Sequence, residues 1–316
     1  MTDPDRIAVI AHGPQPPRLA DGLDRRFQVH ALPAGADPAM LGTAGRTARA
    51  LVAFGTVGAS AGLIDALPAL EIIGLCSVGY DRVDVDHARL KGVRVTNTPD
   101  VLTDDVADLA VGLLHATVRN IAAHDRMVRS GAWARGEVPP LSTRLTGRRI
   151  GIMGLGRIGR AIALRLQPIA GELLYHNRRP ARDVPYRYVA DATALARESD
   201  VLIIATSGGP EARGLVDAAV LDALGPRGFI VNIARGAVID EDALVAALAD
   251  RRIAGAGLDV FVDEPHVPPA LLAMDHVVLQ PHQGSATVET RAAMADLVLA
   301  NLDAHFGGQP LLTPVV

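Results

Sequence analysis

Three polar side chains stand directly after apolar, strand-like runs in the second half of this 316-residue chain. Arg235 follows Phe229-Ile-Val-Asn-Ile-Ala234, Glu264 follows Gly257-Leu-Asp-Val-Phe-Val-Asp263, and His282 follows His276-Val-Val-Leu-Gln-Pro281. Each has an ordinary explanation when taken alone: a surface arginine, a turn carboxylate before Pro265, a histidine capping the next segment. Together they are three groups that polar catalysis uses. A guanidinium grips a carboxylate in bidentate fashion. An imidazole gives or takes a proton near neutral pH. A carboxylate orients that imidazole and favours its charged form. In doubly wound sheets, ligands collect outside the carboxyl ends of the strands, so side chains from three strand ends are expected to converge.

What they would act with is indicated upstream. The stretch Arg148-Arg-Ile-Gly-Ile-Met-Gly-Leu-Gly-Arg-Ile-Gly159 reads as strand, glycine turn and helix start, with Ile158, Ala161, Ile162 and Leu166 at helical spacing. Gly154 suits the turn, Gly156 the close approach of a pyrophosphate, and Gly159 the packing of helix on sheet. The helix start offers N–H groups and a positive dipole end to phosphates. A lone glycine motif is weak evidence, but here a second strand-like run, Glu172-Leu-Leu-Tyr-His176, follows in the right place. Asn177 then stands 23 residues after Gly154, where an acidic residue normally meets the adenine ribose. Asn177-Arg178-Arg179 is neutral and then doubly cationic, which suits a 2′-phosphate and points to NADP, with NAD the second choice.

With a dinucleotide site present, the three polar residues make one reaction. Reducing a 2-oxo acid needs a cation for its carboxylate, a proton for its carbonyl oxygen and a hydride from the cofactor. Arg235, His282 with Glu264, and a nicotinamide would supply these in turn.

The elements that must position these groups follow an alternating pattern. Strand-like runs at 6–11, 50–54, 71–75 and 93–96 alternate with helical signals such as Leu63, Ile64, Leu67 and Leu70. This predicts an α/β unit with a parallel sheet. Asn97-Thr-Pro-Asp100 reads as a crossing point because Pro99 bars continuation. A long helix from Asp104 or Asp105 to about Asn120 follows, then a polar, proline-containing connection over 131–147. After the glycine motif, strands are expected at 201–205, 228–233, 254–260 and 276–280, and helices near 192–197, 218–224 and 241–249. Asp217, Asp222 and Asp240 read as cap or first-turn residues. A last helix, about 286–305, is long enough to return to the first unit. The expected plan is therefore two α/β domains, with a dinucleotide-binding domain (100–286) inserted into an outer domain (1–99 plus 287–316). Clefts between domains are preferred ligand sites, and two crossing segments would permit closure.

Composition narrows the classes. The 49% hydrophobic content supports substantial cores, and the net charge of −4 advertises no nucleic-acid surface. Lys91 is the only lysine and Cys76 the only cysteine, so an intramolecular disulfide is impossible and a reducing compartment fits. Met1-Thr-Asp-Pro-Asp-Arg-Ile7 shows no basic-then-apolar leader, and no apolar run approaches the about 18 residues of a membrane helix. The expectation is a cytoplasmic protein without membrane or nucleic-acid partners.

The chain resembles the D-isomer-specific 2-hydroxyacid dehydrogenase family. The matching pieces are Ser77-Val-Gly-Tyr-Asp81, Asn97-Thr-Pro99, Gly154-Leu-Gly-Arg-Ile-Gly159, Asn232-Ile-Ala-Arg-Gly236, Gly257-Leu-Asp-Val260 with Glu264-Pro265, and Pro281-His-Gln-Gly-Ser285. By that resemblance the fold is two Rossmann-like domains, the outer one a flavodoxin-like substrate domain; Arg235 binds substrate, His282 and Glu264 form the acid–base pair, and the backbone of Ser77, Val78 and Gly79 holds the substrate carboxylate. Asp259 would face the nicotinamide carboxamide. Arg157 and Ile158 would lie along the pyrophosphate, and Thr206, Ile233, Ala234, Gly284 and Ser285 would complete the cofactor site. Gly55-Thr-Val-Gly58, Leu63-Ile-Asp-Ala-Leu-Pro68 and Tyr175-His-Asn-Arg-Arg-Pro180 look most like NADP-dependent hydroxypyruvate, glyoxylate and hydroxyphenylpyruvate reductases. Gln283 departs from the aliphatic residue many members carry there, and the first 45 residues match weakly.

The resemblance also implies a homodimer formed through the connection that carries Trp133, whose ring could close the neighbouring site. Cys76 is expected to be a buried filler, His124 a helix-surface residue, and His276 with His282 to lack a third metal ligand. Competing readings are a dinucleotide-sensing corepressor-like binding protein and NAD-dependent oxidation of another substrate such as phosphoglycerate or formate. Asn177 and the retention of Arg235, Glu264 and His282 weigh against these.

Overall fold

A computed structural model describes residues 6–316 of the chain; the run Met1–Asp5, on which most of the leader reading rests, lies outside the described residues. The chain divides into two compact units, Met1–Leu102 with Thr287–Val316, and Thr103–Ala286.

The first unit begins with β1 (Ala8–His12), α1 (Pro17–Arg26), β2 (Gln28–Leu32), α2 (Gly42–Thr47) and β3 (Ala50–Ala53). It continues with α3 (Ala61–Asp65), β4 (Ile72–Leu75), α4 (Val85–Leu90) and β5 (Arg94–Thr96). Its five strands are all parallel, in the order β2-β1-β3-β4-β5. β1, β3 and β4 are buried along their whole length, as continuous apolar runs in a two-sided parallel sheet must be. β2 is invisible in the sequence for a physical reason: Gln28-Val-His-Ala-Leu32 is an edge strand, mostly part-exposed, so its residues need not be apolar. The helix expected from Leu63 to Leu70 is only one turn and a half, because Pro68 disfavours helical geometry in the residue before it. Leu67 and Leu70 remain buried all the same.

The second unit opens with α5 (Thr103–Val118) and α6 (Ile121–Arg129), then the connection, then β6 (Arg149–Met153), α7 (Arg157–Leu166), β7 (Glu172–His176), β8 (Arg187–Tyr188), α8 (Ala192–Arg197) and β9 (Val201–Ile204). There follow α9 (Ala218–Leu224), β10 (Phe229–Asn232), α10 (Glu241–Ala249), β11 (Gly255–Leu258), α11 (Pro269–Leu272) and β12 (Val277–Leu279). The seven strands lie in the order β12-β11-β10-β9-β6-β7-β8, again all parallel. The direction of winding reverses between β6 and β9, the switch point at which such sheets bind ligands. α12 (Val288–Phe306) returns the chain to the first unit, packing on α1 and β4.

Helix starts are written by short side chains. Asp84, Asp191, Asp217 and Asp240 each accept a hydrogen bond from the backbone N–H three residues on, at 3.0, 2.7, 3.0 and 3.1 Å, satisfying donors the helix leaves open. Asp222 departs from expectation: it lies inside α9 and pairs with Arg252 instead of capping. The strand expected over 254–260 spans Gly255–Leu258; Asp259 N still donates to the Asn232 carbonyl at 3.0 Å, while its carboxylate bonds a neighbouring loop. His124 is part-buried on α6, with Nε2 enclosed, rather than a plain surface residue. Trp133 is 62% exposed in the connection. No single helix among the described residues is long and apolar enough to cross a membrane.

Candidate active site

The glycine turn after β6 has the geometry its sequence implies. Gly154 sits at φ +100°, and a Cβ there would lie 2.5 Å from the amide nitrogen of Thr206. A Cβ on Gly159 would lie 2.1 Å from the carbonyl oxygen of Gly154. These two glycines are therefore required by packing. Gly156 differs: its Cβ would meet nothing within 4 Å, and as the N-cap of the ten-residue α7 it provides no side-chain cap. Open space in front of an uncapped helix start, at the switch point, fits a pyrophosphate.

Asn177 is at the end of β7, and its Oδ1 accepts a hydrogen bond of 2.7 Å from the Leu155 N–H. It ties the glycine loop to the neighbouring strand end, a role its sequence position did not reveal. Arg178 and Arg179 are exposed, with Arg178 paired to Glu211. Thr206 is part-buried just past β9, and Ile233 and Ala234 are buried just past β10.

The three polar candidates all lie in the second unit, and two of them touch. His282 Nδ1 is 2.7 Å from Glu264 Oε2, both side chains being partly buried. Glu264 Oε1 accepts a hydrogen bond of 3.0 Å from the Phe261 N–H, which fixes the carboxylate's orientation. Burial pushes the Glu264 carboxyl up, but the hydrogen bond and charge of His282, the Phe261 amide and Arg235 outweigh it and hold the group below the usual carboxylate range. Glu264 is thus ionised when the imidazole is charged, and with Nδ1 engaged, Nε2 is left to meet a substrate.

Backbone contacts hold these side chains in place. Asp259, 1% exposed at the end of β11, accepts hydrogen bonds from the Gln283 N–H (2.6 Å) and the Gly284 N–H (2.9 Å), while its own carbonyl accepts one from His282 N (2.9 Å). The histidine is pinned at φ +56°. Burial raises the Asp259 carboxyl above its ordinary value, against the amides of Gln283 and Gly284 and the charge of His282. Ser285, part-buried, continues this loop, and the exposed Gln283 side chain folds back to the Pro281 carbonyl at 2.9 Å. The residue named by the family likeness as a carboxamide partner is, in the folded chain, the clamp of the histidine loop.

Arg235 is held by a residue that sequence reasoning did not single out. Asn232, buried at the end of β10, donates from Nδ2 to the Arg235 carbonyl at 3.0 Å and accepts the Ala234 N–H at 3.0 Å. The next residue, Gly236, packs so tightly that a Cβ would lie 2.0 Å from the Phe261 carbonyl carbon. The Arg235 loop and the Phe261–Glu264 loop are thereby pressed together. An asparagine closing a buried strand was the available signal for this support.

In the first unit, the Ser77–Gly79 loop follows β4. The Ser77 carbonyl accepts from the Thr98 N–H (2.9 Å), the Val78 carbonyl from Asn97 Nδ2 (2.9 Å), and the Gly79 carbonyl from Ser77 Oγ (2.6 Å). Cys76 is fully buried beside this loop, and burial, opposed by the charge of Arg291, pushes its thiol up to about 12. It remains a thiol at neutral pH. Among the described residues no group of three or more His, Cys, Asp or Glu is placed to hold a metal ion.

The pattern of the D-isomer specific 2-hydroxyacid dehydrogenase NAD-binding domain matches residues 111–284. The chain is 48% identical over 315 residues to a hydroxyphenylpyruvate reductase of Plectranthus scutellarioides, covering 99% of this chain and all of that one. It is 47% identical over 313 residues to a glyoxylate/hydroxypyruvate reductase A of Arabidopsis thaliana, again covering 99% of this chain and all of the relative. A solved NADPH-dependent glyoxylate/hydroxypyruvate reductase from Sinorhizobium meliloti, in complex with NADP and malonate, superimposes with a TM-score of 0.94 at 43% identity, covering 99% of this chain and 97% of that one. The two all-parallel units, the dinucleotide cradle and these likenesses over nearly the whole length agree: the chain is an oxidoreductase and belongs to the D-isomer specific 2-hydroxyacid dehydrogenase family.

Proposed function

We propose that this enzyme uses NADPH to reduce a small 2-oxo acid, of the hydroxypyruvate or glyoxylate class, to the D-2-hydroxy acid. The observation that carries the reading is the His282–Glu264 pair, 2.7 Å apart, with the carboxylate held ionised opposite the imidazole. When bound, a nicotinamide cofactor supplies the hydride. His282 donates the proton from Nε2 to the carbonyl oxygen that becomes the hydroxyl, and Glu264 holds the imidazolium in place. Arg235 binds the substrate's carboxylate and carbonyl end, and the backbone of Ser77, Val78 and Gly79 holds the carboxylate. Gly154, Gly156, Arg157, Ile158 and Gly159 receive the pyrophosphate. Thr206, Ile233, Ala234, Asp259, Gly284 and Ser285 line the nicotinamide side, with Asp259 acting chiefly through the loop it clamps.

The preference for NADPH rests on Asn177, Arg178 and Arg179. Asn177 brings no negative charge to the ribose, and a guanidinium pair can grip a 2′-phosphate. The Sinorhizobium meliloti neighbour is described as NADPH-dependent and was solved with NADP. The first unit is then the substrate domain and the second the dinucleotide domain. A binding protein without turnover is not favoured, because the acid–base pair is fully assembled and the relatives are reductases.

A homodimer is proposed to form through the α6 region and the connection, where Ile121, Val128, Trp133, Val138 and Leu141 are all exposed large apolar residues. A thiol kept as such in Cys76 is compatible with the cytoplasm. The test of function is the initial rate of NADPH oxidation with hydroxypyruvate, glyoxylate and an aryl pyruvate, run beside NADH. Turnover with at least one acid and a higher kcat/KM for NADPH is expected. Preference for NADH would remove the assigned role of Arg178 and Arg179, and failure with every 2-oxo acid would remove the reaction.

A further inference from the structure

The substrate loop of the first unit is braced from an unexpected quarter. Asn97, past the end of β5, donates from Nδ2 to the Val78 carbonyl at 2.9 Å. The carbonyl of Asn97 itself accepts from the Thr313 hydroxyl at 2.6 Å, and Asn97 N donates to the Thr313 carbonyl at 3.3 Å. That hydroxyl accepts in turn from Asn301 Nδ2 at 2.9 Å. Asn301 is fully buried on α12, and its Oδ1 accepts the backbone N–H groups of Leu312 (3.0 Å) and Thr313 (3.1 Å). The segment is further fixed along β5, where Val315 N donates to the Val95 carbonyl at 2.7 Å and Thr96 bridges Pro314. A continuous line of hydrogen bonds therefore runs from the buried Asn301 through Thr313 and Asn97 to the substrate loop.

The consequence follows from peptide geometry. In a trans peptide the C=O of one residue and the N–H of the next point in opposite directions. Anchoring the Val78 carbonyl on Asn97 aims the Gly79 N–H the other way, and anchoring the Ser77 carbonyl on Thr98 N does the same for the Val78 N–H. Two successive amides so oriented form a small anion-binding concavity. A neutral side chain, Asn97, does this without placing a competing charge beside the anion.

We propose that Asn97 and Thr313 are positioning residues for substrate. The Asn301–Thr313–Asn97 line sets the direction of the Val78 and Gly79 amides and so the affinity of the enzyme for the carboxylate of its 2-oxo acid. This rests on the reading of Ser77–Gly79 as the carboxylate loop. All three act through the loop and not as catalytic residues. The segment that carries Thr313 lies 234 residues beyond Gly79 in sequence, so a tolerated-looking change there would alter substrate binding.

The experiment compares wild type, Thr313→Val, Thr313→Ser and Asn97→Ala with hydroxypyruvate, with its methyl ester, and with NADPH as the varied cofactor. Valine keeps the shape of threonine and removes the hydroxyl. Thr313→Val is expected to raise KM for the acid about fivefold, the size of one neutral hydrogen bond's net contribution. KM for the ester and for NADPH stays at the wild-type value, and Thr313→Ser restores the acid. Asn97→Ala is expected to narrow the acid-to-ester ratio further. A lowered Tm in Thr313→Val with the wild-type acid-to-ester ratio would show a purely structural brace and overturn the proposal. If wild type turns over both compounds yet does not distinguish acid from ester, the carboxylate-loop reading itself falls, and the proposal with it. Should Thr313→Val fail to fold, the ratio in Asn97→Ala decides in the same way.

Discussion

On the proposed function, the two sheets of this protein carry their working loops at the same place, past the carboxyl ends of parallel strands, yet use different chemistry. In the seven-stranded sheet the loops present side chains: Arg235 after β10, Glu264 beyond β11 and His282 after β12. In the five-stranded sheet the loop after β4 is proposed to offer backbone amides, its carbonyls being held by the side chains of Ser77 and of Asn97 beyond β5. The difference follows from the work. Protonating a carbonyl oxygen needs a titrating group that changes charge during the reaction, which only a side chain provides. Holding a carboxylate that keeps its charge needs only fixed N–H donors, and amides supply them at no cost in side-chain entropy.

The sharpest way to break that contrast is to remove the titrating group. His282→Ala is expected to lower kcat by about 10²–10⁴-fold, the usual contribution of general acid catalysis, while NADPH still binds as read by its fluorescence. Loss of NADPH binding together with kcat would mean that His282 is structural.

Next in size is a pair of glycine substitutions that separates fold from cofactor. Gly159→Ala places a Cβ 2.1 Å from the Gly154 carbonyl oxygen, so thermal unfolding should move down by several degrees. Gly156→Val places its Cβ in open space, so Tm should hold while KM for NADPH rises about tenfold or more. The reverse pattern would contradict the reading of the cradle.

Smaller effects sharpen the electrostatic side. Removing the carboxylate in Glu264→Gln should lower kcat, because the imidazolium loses its counter-charge. The folded-state carboxyl of Glu264 is held below its unfolded value, so its contribution to stability is full above about pH 4.5 and is lost as pH falls through the folded value. The Tm gap between wild type and Glu264→Gln should therefore close below that pH. A gap that is constant from pH 7 to pH 3 would argue against an ionised pair. Finally, replacing Arg178 and Arg179 together by Ala should raise KM for NADPH several-fold more than KM for NADH, about the 1–2 kcal/mol of a charge-assisted contact at an exposed site. Equal effects on both cofactors would remove their assigned role.

How much of this was legible before the structure depends on which kind of loop is considered. Strand, glycine turn and helix over 148–166 could be read because periodicity and glycine placement are local signals. The placement of Arg235, Glu264 and His282 beyond strand ends could be read because polar side chains stand out after apolar runs. β2 could not, since an edge strand buries too little to force an apolar pattern. The supporting roles of residues already named were also hidden. Asn177, Asn232 and Asp259 act by bonding backbone groups 22 to 25 residues away or two to three residues on, and nothing in composition marks such a bond. Asn97 stood inside a recognisable Asn-Thr-Pro piece, but Thr313 and Asn301 meet it only after α12 brings the chain back. Capping was read correctly at Asp217 and Asp240 and missed at Asp222, where a partner on a later element, Arg252, takes the carboxylate.

The most direct test of the account is to follow product as well as cofactor. The enzyme is incubated with hydroxypyruvate and NADPH, and glycerate is resolved by chiral chromatography, with His282→Ala alongside. The account predicts D-glycerate in amount equal to the NADPH consumed, and a rate lower by at least about 10² in the variant. L-glycerate, or an undiminished rate in His282→Ala, would contradict it.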